Sequence, residues 1–193
     1  MIKTIVLASS SPRRKELLES IGLKFVVDPV EVAEDLKRKL KPAELAKTIS
    51  LEKARAAASR HPGCIIIAAD TFGLLNGEIM GKPRDEEEAR RMLRSLGGRC
   101  HRVVTGFTIL DTETSKAISK AVETKVYFRE LDSEEIEAYV KTGEPLDKAG
   151  AYAIQGLGAL LVERIEGDYY NVIGLPLSSL ALELKRFGVK LPG

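Results

Sequence analysis

The chain has 193 residues, 44% of them hydrophobic and 30% charged, with aromatics at 5% and no tryptophan. That is the make-up of a soluble globular chain of one ordinary domain or at most two small ones, long enough to bury a core. A net charge of only +2, with acids and bases interspersed, lacks the basic excess of a sequence-independent nucleic-acid or anionic-membrane binder, and scarce aromatics leave little on which bases would stack.

Two cysteines, Cys64 and Cys100, suggest a reducing compartment, though a disulfide between them stays open. No apolar run is long enough to span a bilayer. Met1-Ile2-Lys3 leads straight into strand-like sequence, which does not read as a signal peptide. The cytoplasm is the expected location.

Thr4-Ile5-Val6-Leu7-Ala8 predicts a buried strand, broken by Ser9-Ser10-Ser11. Pro12 suits the first turn of a helix with Ser11 as its N-cap, and Gly22 ends it. Phe25-Val26-Val27 reads as a second strand. Residues 42–60 predict a long helix whose inner face is Leu45, Ala46, Ile49, Ala54, Ala57 and Ala58. Cys64-Ile65-Ile66-Ile67-Ala68-Ala69 reads as a central strand buried on both faces, with Asp70 at its carboxyl end.

Asn76-Gly77 is a two-residue hairpin signal between residues 72–75 and 78–80. A helix follows from about Asp85, acidic in its first turn and basic later, and ends at Gly97-Gly98. Residues 103–110 and 121–128 predict an antiparallel pair. Asp132 and Glu135 form a capping box, and Gly143 stops that helix. Residues 159–165 predict a strand and 177–187 a closing helix. Early alternation followed by antiparallel pairs means α/β with a mixed sheet, or α+β. With no repeat or linker, one continuous domain over 1–193 is expected.

Several motifs fail. Gly77 to Pro83 resembles a P-loop, but the glycine spacing is short and Pro83 occupies the Mg²⁺-binding hydroxyl position. Gly156-Leu157-Gly158 lacks the third glycine of a dinucleotide fingerprint. Two histidines, His61 and His101, cannot build a multi-His zinc site. A triad on His101 has no nucleophile elbow to support it.

The remaining polar positions are individually ambiguous. The serine-rich turn before Pro12 sets backbone N–H groups at a helix N-terminus, with Arg13 and Arg14 adding guanidinium forks. That is either an anion site or plain helix capping. Asp70 either holds a cation or orients water, or caps a turn, and Thr71 is ambiguous in the same way. Lys82, between Gly81 and Pro83, either approaches a phosphate or is an ordinary exposed lysine. Lys53 either snorkels from its alanine-rich helix or reaches a phosphate. Glu31, Glu34 and Asp35 are either a metal-binding edge or, the better reading of these residues alone, a solvated loop. Gln155, in a glycine-rich segment, carries the donor and acceptor that suit a base edge. Together they offer a basic phosphate grip, carboxylates for a divalent cation and an amide for a base, as nucleotide phosphoanhydride chemistry requires.

Leu7-Ala8-Ser9-Ser10-Ser11-Pro12-Arg13-Arg14-Lys15-Glu16-Leu17-Leu18 resembles the opening motif of the Maf-like nucleoside-triphosphate pyrophosphatases. So do Ala69-Asp70-Thr71, Gly81-Lys82-Pro83, the block from Gly98 to Gly106, the block from Gly143 to Gly156, and Asn171-Val172-Ile173-Gly174-Leu175-Pro176-Leu177. The blocks run in order nearly end to end. The resemblance implies an elongated mixed β-sheet flanked by helices, with two lobes around a nucleotide cleft, inosine-triphosphatase-like. It implies hydrolysis of a nucleoside triphosphate between the α and β phosphates, a divalent cation (Mg²⁺ or Mn²⁺) and a homodimer.

The resemblance also assigns roles: Asp70 as general base and metal ligand, Glu34 as the second carboxylate (Glu31 being the other candidate), and Ser9, Arg14, Lys53 and Lys82 as phosphate-binding. Arg13, Thr71 and Gln155 fall at positions that separate subgroups, and all three are of the dTTP/UTP type, with CTP and modified pyrimidine nucleotides as further candidates. Two positions depart from the family pattern: Ala33 stands where an acid is usual, and Phe72 where a smaller aliphatic is common. The competing expectation is a nucleotide-binding regulator of cell division that acts through a partner protein.

Overall fold

The computed structural model describes residues 3–32, 35–36 and 38–191. Its strands are β1 (Ile5–Leu7), β2 (Val26–Val27), β3 (Ile65–Leu75), β4 (Glu78–Met80), β5 (Cys100–Asp111), β6 (Ala117–Phe128) and β7 (Val162–Glu166). The helices are α1 (Pro12–Ser20), α2 (Pro42–Ala58), α3 (Glu86–Leu96), α4 (Ser133–Lys141), α5 (Tyr169–Ile173) and α6 (Leu177–Lys185). All seven strands form one sheet in the order β2-β1-β3-β5-β6-β7, with β4 also on β3. β1 is parallel to β2 and β3, whereas β3–β4 and β6–β7 are antiparallel, so the sheet is mixed as expected.

The chain forms two compact units. One comprises Met1–Asp70, Thr105–Val122 and Gly174–Gly193; the other comprises Thr71–Val104 and Glu123–Ile173.

In the first unit, α2 presents Leu45, Ala46, Ile49, Ala54 and Ala57, all fully buried. Ala54 and Ala57 join Val6, Ala8, Ile66, Ala68 and Leu110 in one apolar cluster. Small side chains let helix and sheet approach closely. The nearest approach is at Gly106 on β5, where an added Cβ would collide with the backbone of Ala46.

In the second unit, Asn76 and Gly77 turn the β3–β4 hairpin with φ of 52° and 86°, the positive pair that a type I′ turn requires. Asp85 caps α3 by accepting from Glu88 N at 2.8 Å. The capping box at Asp132 is complete, since Glu135 N donates to Asp132 and Asp132 N to Glu135. Arg90 of α3 reaches Glu137 of α4 at 2.7 Å. β5 and β6 are antiparallel: backbone bonds pair Asp111 with Lys116 and Phe128 with Arg99, both on one register.

Three expectations need correction, and some elements had none. β3 does not stop at Asp70 but runs on to Leu75, so Asp70 is mid-strand. Its polarity marked no turn, because the carboxylate is buried against a charged partner described below. The strand expected over 159–165 begins at Val162, since Gly156–Leu161 forms a 3₁₀ turn. Further 3₁₀ turns at Glu144–Asp147 and Ala149–Ala151, and helix α5, have no hydrophobic period to announce them. Finally, Ser11 stands at the N-cap position of α1 but its side chain makes no capping bond. Both cysteines are free thiols.

Candidate active site

The loop after β1 is organised from inside. Ser9, 7% exposed, accepts through Oγ from Ser11 N at 3.2 Å and from Arg14 Nη1 at 3.1 Å. Arg14 is one turn into α1, so its guanidinium folds back over the loop. Nη1 also donates to the Ala69 carbonyl at 2.9 Å, and Nε donates to the Gly174 carbonyl at 2.9 Å. One side chain therefore ties the serine loop, β3 and the segment before α6 together. Ser10 is exposed and Arg13 half-buried.

Ala69 leads directly to Asp70, which is 5% exposed. Lys53, on α2 and 8% exposed, places Nζ 2.6 Å from Asp70 Oδ1. Removing either partner would strand the other charge in the interior, which costs about 3–5 kcal/mol. Ser9, Arg14, Lys53 and Asp70, far apart in sequence, are thus brought together within the first unit. Lys53 does not snorkel; its ammonium points inward to the carboxylate.

The second unit carries the other candidates. Lys82, just after β4, is exposed, and Gly81 is fixed by a bond from Gly150 N to its carbonyl at 2.9 Å. Thr71 and Gln155 are half-buried. Phe72 is 1% exposed and is a core residue of this unit. His101 is built as a core residue and not as a catalytic base. It is 3% exposed, its Nε2 lies 2.8 Å from the Tyr152 hydroxyl, and burial holds its pKa at about 4. His101, Phe128 and Tyr152 meet edge to face. The hydrogen-bond ties from Arg14 to Ala69 and Gly174, and those from Tyr139 and Glu144 described below, had no sequence signal beyond the quoted motif blocks.

Glu34 lies outside the described residues, while Glu31 and Asp35 are exposed. Among the described residues no cluster of three or more His, Cys, Asp or Glu side chains would hold a metal ion by itself. The oxygen donor of Asp70 does suit a hard divalent cation. Mg²⁺ is commonly held through one or two carboxylates together with substrate phosphates rather than in an all-protein cage.

A mixed sheet in this strand order, with helices on it, defines an α/β fold shared with two solved structures. A HAM1 protein from Coxiella burnetii matches with a TM-score of 0.56 at 16% identity, over 96% of this chain and 100% of that one. The Ham1 protein of Staphylococcus aureus matches with a TM-score of 0.55 at 17% identity, over 95% and 99%. At such identity the likeness concerns the fold alone.

A family model described as Maf-like protein matches residues 4–187, and the chain belongs to that family. Curated relatives agree. A protein of Methanosarcina mazei named dTTP/UTP pyrophosphatase is 51% identical over 98% of this chain and 97% of its own length. One of Dictyoglomus turgidum with the same name is 50% identical over 99% and 100%.

Proposed function

We infer that this chain is a nucleoside-triphosphate pyrophosphatase that hydrolyses dTTP and UTP, with CTP and modified pyrimidine nucleotides within its range. The observation that carries this is half-identity, over nearly the full length of both chains, to relatives bearing that name. The geometry of the first unit supports it: Arg14 links the serine loop to Ala69, next to the carboxylate that Lys53 holds.

In the proposed reaction, water attacks at the α–β linkage and leaves a nucleoside monophosphate and pyrophosphate. Asp70 accepts the proton of the attacking water. Ser9, Arg14 and Lys53 hold phosphate oxygens, and Lys82 adds a further positive charge. Arg13, Thr71 and Gln155 select the base, Gln155 through the donor and acceptor of its amide. Asp70, with Glu34 as second carboxylate, would hold Mg²⁺ or Mn²⁺, whose chemistry when bound is to neutralise phosphate charge. The homodimer is carried over from the family resemblance, and the cytoplasmic location from the cysteine usage and the N-terminal sequence. Among the described residues no helix is long and apolar enough to cross a membrane.

Pyrophosphate release from dTTP in Mg²⁺ or Mn²⁺ tests this, with wild type against Asp70→Asn. The variant should lose about 10²–10⁴-fold in kcat, the usual span for a general base. Equal rates would remove Asp70 from the chemistry. Tight dTTP binding with no turnover by the wild type would favour the regulator instead.

A further inference from the structure

Gln155 lies between two 3₁₀ turns, Ala149–Ala151 and Gly156–Leu161, where no helix or strand fixes the backbone. Side chains do so instead. Tyr139, 5% exposed near the end of α4, donates its hydroxyl to Glu144 Oε1 at 2.8 Å and accepts from Ala153 N at 3.3 Å. Glu144 Oε1 also accepts from Gly158 N at 3.1 Å, and Oε2 from Leu157 N at 3.3 Å. Backbone N–H groups on both sides of Gln155 are therefore gathered onto one phenol and one carboxylate. Burial, and then the bond to Glu144, hold the Tyr139 phenol well above its ordinary pKa, which keeps it a donor.

Two glycines let the backbone sit down on this clamp. At Gly158 an added Cβ would collide with the Ala153 carbonyl and come within 2.6 Å of the Tyr139 hydroxyl. At Gly156, with φ of +67°, it would lie 2.9 Å from Glu144 Oε2. On the N-terminal side, Tyr152 is tied to His101. Tyr152 and Ile154 are buried on that side, and Glu144 is the shared acceptor that holds the backbone just beyond Gln155.

We propose that Glu144 is a positioning residue for base recognition, acting with Tyr139 to fix the backbone from which Gln155 meets the nucleobase. This role rests on the pyrophosphatase function and on the base-reading part given to Gln155 there. It carries a signature that a purely structural carboxylate lacks: KM and base preference change, while the chemical step does not.

The test is steady-state hydrolysis of dTTP, UTP and GTP by the full chain. The variants are Glu144→Ala, Tyr139→Phe, Gln155→Ala and the pair Glu144→Ala with Gln155→Ala. Glu144→Ala should raise KM for dTTP and UTP about tenfold, the scale of one lost charge-assisted hydrogen bond. Its kcat should stay within about threefold, and its preference for pyrimidines over GTP should narrow. The pair should behave as Gln155→Ala alone, since both act through one side chain. Tyr139→Phe keeps the ring, loses one hydroxyl, and should move KM the same way by less; it stands in if Glu144→Ala does not fold. Unchanged KM and preference in active variants, or effects that multiply in the pair, would overturn the role alone. A wild type that hydrolyses none of the triphosphates would overturn the function and this role with it.

Discussion

The first unit buries a carboxylate, Asp70, and the second buries an imidazole, His101, to nearly the same depth. The two are handled in opposite ways. Asp70 receives an ammonium at 2.6 Å and takes its charge into the interior as half of a pair. His101 receives the Tyr152 hydroxyl and packs edge to face with Phe128 and Tyr152, no ion pair reaches it among the described residues, and burial lowers its pKa to about 4. A buried charge is costly and persists only where something compensates it. The difference shows how one interior carries a charge within an ion pair and the other keeps its titratable group neutral.

The comparison can be broken most forcefully at Lys53. Lys53→Met should take the ammonium away from the buried Asp70 carboxylate and destabilise the fold by about 3–5 kcal/mol in urea denaturation. Adding Asp70→Asn should restore most of that, because no interior charge then remains. Equal losses in the single and double variants would mean that the pair is not what stabilises this region.

A somewhat smaller effect is expected at His101. Between pH 6.5 and 4 the unfolded chain binds a proton there that the folded chain does not. Stability is therefore complete above pH 6.5 and falls with acid through that window, by about 3 kcal/mol in total. His101→Gln has no such group, so its stability should fall less steeply over the same range. Parallel curves for the two proteins would show that the imidazole is not kept neutral by the fold.

The smallest effect sharpens the contrast with a local interaction. Asp132→Ala removes the α4 cap and should cost about 1 kcal/mol, with dTTP hydrolysis unchanged. A loss as large as that at Lys53 would mean that the cap supports more than its own helix.

These magnitudes also separate what the sequence made legible from what it hid. The Asn76–Gly77 hairpin and the caps at Asp85 and Asp132 depend on residues within four positions of each other, so their patterns are visible in a short window. The family's opening motif made Ser9 and Arg14 visible as candidates. Arg14 to Gly174 spans 160 residues and Lys53 to Asp70 spans 17, and no periodicity reports such contacts. Asp70 looked like the end of a strand because a polar residue usually is; the buried lysine that overrides this lies on another element. Tyr139 and Glu144 were not singled out, because a spacing of five residues across a helix end and a 3₁₀ turn follows no repeating rule. The 3₁₀ turns around Gln155 are held by those side chains, so their conformation was hidden with them.

Gly106 has a further consequence. It sets the clearance between α2 and the sheet at Ala46, and Lys53 lies two turns along the same helix, about 10 Å away. Any side chain there would act as a shim under one end of α2. The strain would fall first on the backbone of Ala46 and Lys47, with which an added Cβ would collide, and would tilt the helix that carries Lys53. A position with no polar atom beyond its backbone thereby becomes a gauge of the distance on which the buried pair depends. In a survey of variants it would score as a loss of stability at a position with no side chain of its own.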